Sequence, residues 1–315
     1  MRKFTLVLLS SVAISASSFA QQDARFTHYY FNQIFFNPAY AGLEGTARFS
    51  LLGRQQWLGY NSGGGSGAPR TVHLSAQSPL LRANSGVGVN VVYETFAANA
   101  QLAFNANYAY HLNLGAGKLS FGVSAGATSN GRDANLYVFN DKLDPNVPTS
   151  INSIKFDAGA GVYYKSPKFF LGVSSTHLTQ PVYELGNKST NQLLRHYYGI
   201  AGYNFELNPT LTLTPHVLYK STFKPKGEQI EGGIMANINN KFYVGLNYTQ
   251  EEAASVLAGI SLLRDNSLRF GYSLDLVTNG VEAKSPTSHE IMLSYVIPVT
   301  LKGPKPAIRT PRYRK

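Results

Sequence analysis

Histidines are the natural first place to look for chemistry in this chain. They stand at positions 28, 73, 111, 177, 196, 216 and 289, and none has the HxxxH or HExxH spacing of a metal centre. Two that face a common interior could meet across strands, although wall residues with satisfied hydrogen bonds are the simpler reading. A lipase-like site needs a serine, a histidine and a carboxylate or amide converging at a membrane edge. Ser288 and His289 are adjacent, yet nothing else singles them out. No GxSxG elbow or Walker-type loop is present, and the glycine-rich GYNSGGGSGAP is followed by neither a helix nor GK[ST]. The absence of cysteine excludes disulfides, thiolate metal sites and cysteine nucleophiles. These residue types predict no enzyme, no metal centre and no cofactor.

The elements that must position such residues are easier to read. The leader MRKFTLVLLSSVAISASSFA has a basic start at Arg2 and Lys3, an apolar run from Phe4 to Ile14, and a small-residue cleavage site at Ser18-Phe19-Ala20. It reads as a signal peptide over 1–20, too short to span a bilayer. From the mid-forties onward the hydrophobic pattern has period two. In AQLAFNANYAYHLNL, Leu102, Phe104, Ala106, Tyr108, Tyr110 and Leu112 share one face, and the other face is polar or small.

About fourteen such segments recur. They lie near 46–57, 70–78, 86–94, 101–113, 118–128, 154–165, 168–177, 194–206, 210–220, 229–238, 241–249, 255–263, 267–276 and 288–298. Their connections alternate in length. GYNSGGGSGAP, TFAANA, 129–153, 178–193, STFKPKGEQ, QEEAA and TNGVEAKSPTS are the longer set; LGAG, SP, LNPT, NN and RDNS are the turns. The segment at 79–85 is long for a turn. Such sorting is expected of a transmembrane barrel, with short periplasmic turns and longer outer loops.

Composition agrees. Charged residues make up 14% of the chain, against roughly 25% in soluble domains, while 20 Tyr and 18 Phe suit aromatic girdles. The net charge of +11 is spread over loops and a basic tail, which argues against a nucleic-acid surface. The fold expected is all-β: a single antiparallel transmembrane β-barrel over 46–298, bounded by a segment at 21–45 and a basic periplasmic tail at 299–315.

A ring of fourteen strands is too wide for its own side chains to fill. Inward-facing Gly122, Gly126, Gly159, Gly161, Gly233 and Gly245 leave room inside. Residues 21–45 are aromatic and irregular, and they predict a plug in the lumen or across its periplasmic mouth, with Asn37-Pro38 as a turn and Gly42 as the hinge into the first strand. Asp157, Glu94, Glu231 and Asp275 fall on the inward face, where Arg269, Lys220 or Arg54 could pair with them.

Three blocks resemble the PorP/SprF family of Bacteroidetes outer-membrane proteins. QDARFTHYYFNQIFFNPAYAG looks like the family's N-terminal QDxxFSxYMFNxxxxNPAYAG, with Thr27-His28-Tyr29 where Ser-Gln-Tyr is common. GRQQWLGYNSGGGSGAPRTVHLSAQSPL is similar to RxQWxG followed by PxTxxLSxxxPL, with a Gly/Ser insertion at 62–67, and SHEIMLSYVI is similar to a closing HEIxLSY strand. The matching signature positions are Asn37, Pro38, Ala39, Tyr40 and Gly42, with Arg54, Gln56 and Trp57 in the second block.

The resemblance implies a role in type IX secretion and gliding motility. The implied partners are a secreted adhesin with a type B C-terminal domain, a periplasmic peptidoglycan-associated lipoprotein, and outer-membrane lipid. Within that expectation, outer-loop residues Tyr137, Phe139, Asp141 and Tyr183 are candidates to grip the cargo. Tail residues Lys302, Lys305, Arg309, Arg312 and Arg314 are candidates for a periplasmic contact. The signature itself reads as architecture. The rival functions are an outer-membrane channel for hydrophobic or small solutes and an outer-membrane hydrolase.

Overall fold

The computed structural model describes residues 23–60, 67–133, 150–184, 190–224, 227–280 and 284–300. The leader at 1–20, the loop candidates Tyr137, Phe139 and Asp141, and the tail candidates Lys302, Lys305, Arg309, Arg312 and Arg314 lie outside them.

Among the described residues the strands, in chain order, are β1 (Thr46–Gln55), β2 (Arg70–Leu80), β3 (Ser85–Phe96), β4 (Asn99–Leu114), β5 (Gly117–Arg132), β6 (Ile151–Lys165), β7 (Phe169–Thr176), β8 (Val182–Glu184), β9 (Thr190–Gln192), β10 (His196–Tyr203), β11 (Phe205–Asn208), β12 (Leu211–Ser221), β13 (Glu228–Ile238), β14 (Phe242–Thr249), β15 (Ala253–Leu262), β16 (Leu268–Val277) and β17 (Thr287–Pro298). Sequence neighbours pair antiparallel, β1 pairs with β17, and β10 pairs with β12, so fourteen strands close a ring. β11 continues β10 past Asn204 along the edge of β12. β8 and β9 form a separate ribbon within the β7–β10 connection.

Closure matters because a bilayer offers no water to unpaired backbone groups. The outer face is mainly apolar, and its side chains stand clear of the protein: Phe49 is 50% exposed, Val123 57% and Leu246 62%. Such a surface would drive a soluble protein to aggregate; in lipid it is the favourable one. The inward face of the same strands buries Arg54, His73, Asp157, Glu231, Asp275 and Glu290. Among the described residues no helix is long and apolar enough to cross a membrane.

The connections sort by length as expected, with two exceptions. QEEAA shortens to 250–252 between β14 and β15, fewer residues than the turn at 263–267. TFAANA is not a loop: the β3–β4 ladder runs on to Phe96↔Asn99, leaving Ala97 and Ala98 as a two-residue turn. The pairing of these long strands overrides the small-residue signal. At 79–85 the extra length is a 3-10 turn, Leu81–Ala83, closed by Asn84 in the left-handed region.

Residues 23–45 run through the interior. They form a 3-10 turn (Tyr29–Phe31), one α-helical turn (Gln33–Phe36) and a second 3-10 turn (Pro38–Tyr40). Asn37 caps the last of these, its Oδ1 accepting from Ala39 N at 2.9 Å with Pro38 in the first turn. Hydrogen bonds tie the segment to strands all around the ring, from β1 to β17. Asp23 lies in the outer half beside His177, which follows β7, while Glu44 lies at the short-turn end beside Lys165. The chain therefore descends through the lumen before it turns into β1.

Candidate functional site

The candidate site is the interface between this segment and the inner wall, in three tiers. At the periplasmic tier the signature residues sit against wall glycines. A Cβ on Gly122 would overlap Ala39 and Pro38, one on Gly86 would overlap Ala41, and one on Gly161 would overlap Asn37 Oδ1. Asn37 Nδ2 donates to the carbonyls of Val162 and Val173, at 3.0 and 3.1 Å. These two are cross-strand partners on β6 and β7. One carboxamide thus clasps two strands, and it reaches their backbone because Gly161 and Gly172 leave it uncovered. Below it, Glu44 accepts from Tyr40 Oη at 2.6 Å and pairs with Arg48 at 2.6 Å and Lys165 at 3.2 Å. Burial pushes the Glu44 carboxyl up, but these cations outweigh it and hold it well below the usual carboxylate range.

The middle tier is a buried polar network. Thr27 Oγ1 donates to Asp275 at 2.9 Å and accepts from Arg54 Nη1 at 2.7 Å. Arg54 pairs with Asp275 at 2.6 Å and Glu290 at 3.2 Å. Glu290 also accepts from the backbone amides of Thr27 and His28, both at 2.9 Å, and meets His28 Nδ1 at 2.7 Å. Beside it Arg25 reaches Glu252 at 2.6 Å and Glu231 at 3.6 Å. Every charge here has an opposite charge in contact, which is the condition under which buried ions are tolerated.

In the outer tier Asp23 Oδ1 lies 2.7 Å from His177 Nε2, whose Nδ1 lies 2.5 Å from Asp157 Oδ2. Tyr198 Oη donates to Asp23 Oδ2 at 2.5 Å. Burial alone would push the His177 imidazole down; Asp23 and Asp157 on its two sides push it up to about 10. Burial likewise pushes the Asp23 carboxyl up, but His177, His196 and Lys220 hold it well below the ordinary range.

Above the periplasmic mouth, where an open vestibule of about 870 Å³ is lined by Glu44, Arg48 and Lys165, little space remains. A cavity of about 60 Å³ lies between the segment and the wall of β3–β7, lined by Glu94, Asn105 and Asp157 among others. A second, of about 210 Å³, opens between Tyr30, Phe31 and the wall of β12–β16. Arg269 lines it with its guanidinium 4.7 Å from the Phe31 ring and 5.7 Å from that of Tyr243.

The chain matches the family described as type IX secretion system membrane protein PorP/SprF over residues 18–295. It belongs to the PorP/SprF family. It is an outer-membrane β-barrel, as that membership and the closed lipid-facing ring require. No curated protein sequence matches it. Among solved structures it is similar to the CymD monoaromatic hydrocarbon channel, with a TM-score of 0.54 and 13% identity over 84% of this chain and 92% of that one. It is also similar to the toluene transporter TbuX of Ralstonia pickettii, with a TM-score of 0.53 and 13% identity over the same shares. At that identity the likeness is one of fold.

Against this PorP/SprF frame the candidate residues divide. Asn37, Pro38, Ala39, Tyr40 and Gly42 are brought together at the periplasmic tier. Arg54 lies in the middle tier, whereas Gln56 is buried with its backbone N–H donating to Pro69 O, and Trp57 sits at the outer end. Trp57 adopts a left-handed φ of 45°, and its ring lies near Tyr60, Phe96 and Lys284. Tyr183 is fully buried, its hydroxyl donating to Thr128 O, so the β8–β9 ribbon uses it as an anchor and does not offer it to a partner.

Of the six glycines expected to make room, Gly122 and Gly161 meet the segment. Gly126, Gly159, Gly233 and Gly245 face neighbouring wall atoms, and Gly86, Gly88, Gly172 and Gly271 meet the segment in their place. Asp275 pairs with Arg54 as allowed, but Asp157 pairs with His177, and Arg269 stacks on rings. Sequence reasoning missed Asp23, Arg25, Thr27, Glu44, Glu252 and Glu290. The inward phase of the closing strand at position 290 was the available signal for the last.

Proposed function

We propose that this PorP/SprF barrel serves type IX secretion with its lumen closed, holding secreted cargo and system components at its two ends. The observation that carries the reading is the filled interior: residues 23–45 are tied to the wall in three tiers, and the inner cavities are small against the 300–1,000 Å³ of typical ligand pockets. The cargo is a surface adhesin engaged through a type B C-terminal domain at the outer loops. There the base of the ribbon of β8 and β9 is anchored by Tyr183 and Leu193 against Ile151. Pre-organised loops bind at lower entropic cost than floppy ones. The periplasmic partner is a peptidoglycan-associated lipoprotein, met by the basic tail and the charged mouth around Arg48, Lys118 and Lys165.

A second reading, a channel for hydrophobic or small solutes, is favoured by the fold likeness to the hydrocarbon channel and the toluene transporter. Two measurements separate the readings. Affinity purification from native outer membrane should recover an adhesin and a lipoprotein. Planar-bilayer recordings of the mature protein should give no steady conductance, and flux assays no uptake of toluene. Uptake without cargo recovery would favour the channel.

A further inference from the structure

The outer tier contains more than an ion pair. The Asp23 carboxylate, one ring nitrogen of His177 and one of His196 lie within 4.8 Å of one another. The histidines come from the two sides of the β7–β10 connection, and their rings are 5.5 Å apart, edge to face. Asp157 orients His177 through Nδ1 at 2.5 Å, which leaves Nε2 turned toward Asp23. A carboxylate behind a histidine is the usual outer shell of a metal-binding imidazole. His196 Nδ1 lies 3.7 Å from Asp23 Oδ2 and 3.0 Å from the Leu194 carbonyl, so an ion there would take this nitrogen from the carbonyl. His177 holds its position with a left-handed φ of 54°, a conformation that non-glycine residues adopt mostly where surroundings demand it.

We propose that Asp23, His177 and His196 form a divalent transition-metal site that staples the start of the mature chain to the barrel wall. Two imidazoles and one carboxylate suit zinc-like ions, with water completing the shell. The small cavity lined by Asp23, Asp157 and His177 adjoins the site. The exchange is balanced without redox chemistry: the metal bonds to His177 Nε2 and to Asp23, and the proton between them leaves to solvent. The surroundings also favour a cation: the carboxyl groups of Asp23, Asp157 and Glu94 line one cavity, and Lys220 Nζ lies 3.4 Å from Asp23 O. This site stands independently of the secretion reading.

The test uses the mature full-length protein in detergent, stripped with chelator and titrated with Zn²⁺ and Co²⁺. We expect one ion per chain, and a Co²⁺ ligand-field spectrum distinct from that of the aquated ion. Asp23→Asn and His196→Gln should each weaken binding at least tenfold. Asp157→Asn should weaken it about 10–100-fold, as outer-shell partners do. His289→Gln, on the lipid face, should change nothing. An unaltered aquated Co²⁺ spectrum on wild type, which needs no variant to fold, overturns the proposal. So does equal affinity in Asp23→Asn and wild type.

Discussion

Gly42 and Gly86 meet backbone to backbone at the periplasmic mouth. A Cβ on Gly42 would lie 2.7 Å from Gly86 Cα and 2.8 Å from Ser78 O, and Gly42 also holds a left-handed φ of 67°. Its amide donates to Gln77 Oε1 at 3.0 Å. Only a residue without a side chain allows the chain to leave the lumen and turn into β1 here. Gly42→Ala should therefore destabilise the folded barrel by about 1–3 kcal/mol through strain and overlap. Gly45→Ala, with a similar φ but open space around it, should lose less. Thermal unfolding in detergent compares the two, and equal losses would mean that the close contact contributes nothing.

Asn37 is the next point of leverage. Asn37→Ala removes both donors to Val162 O and Val173 O as well as the cap on Ala39. The expected loss is about 1–3 kcal/mol, together with faster hydrogen exchange across residues 26–40. Unchanged protection would show that the aromatic contacts alone hold the segment.

Removing Arg54 should be worse than removing its partners with it. Arg54→Met strands two carboxylates, Asp275 and Glu290, beside each other in a buried site, at a cost of about 3–5 kcal/mol. Adding Asp275→Asn and Glu290→Gln to Arg54→Met should recover most of that. A triple variant no more stable than Arg54→Met would mean that the network acts through its shape and not its charge.

The outer tier sets a pH dependence, best measured with chelator present. The groups facing one another are Asp23, Asp157, His177, His196, Tyr198 and Lys220. His177 is raised, to about 10, so its contribution is complete below the free value of about 6.5 and fades as pH rises toward 10. Asp23 is lowered, so its contribution is present above about pH 3.9 and disappears as pH falls through the folded value. The clamp should be strongest between about pH 4 and 6.5. The stability gap between wild type and His177→Gln should accordingly narrow from pH 6 to pH 10. A gap that widens over that range contradicts the charged pair.

On the outside, Leu246→Arg puts a charge in the middle of β14 toward lipid, and should disfavour insertion by about 2–4 kcal/mol. Heat-modifiable migration after folding into vesicles reads the effect. Glu228→Arg, at the outer end of β13, should be near neutral.

Much of the architecture was written in the chain itself. Period-two patterning fixes which side chains meet lipid, because alternation on a strand leaves no other outlet for a Phe104 or a Leu246. The signature around Asn37-Pro38 marked an ordered N-terminal segment, because aromatics that dense must be buried. What lay beyond reach was who meets whom inside. Thr27 and Asp275 are 248 residues apart, and His177 and Asp23 are 154 apart. Only closure of the ring sets the stagger that brings them into contact. The wall glycines make the same point: Gly122 and Gly161 look no different in sequence from Gly126 and Gly159. Whether a missing side chain faces the segment or a neighbouring strand depends on height along the barrel, and that height is a property of the assembled cylinder.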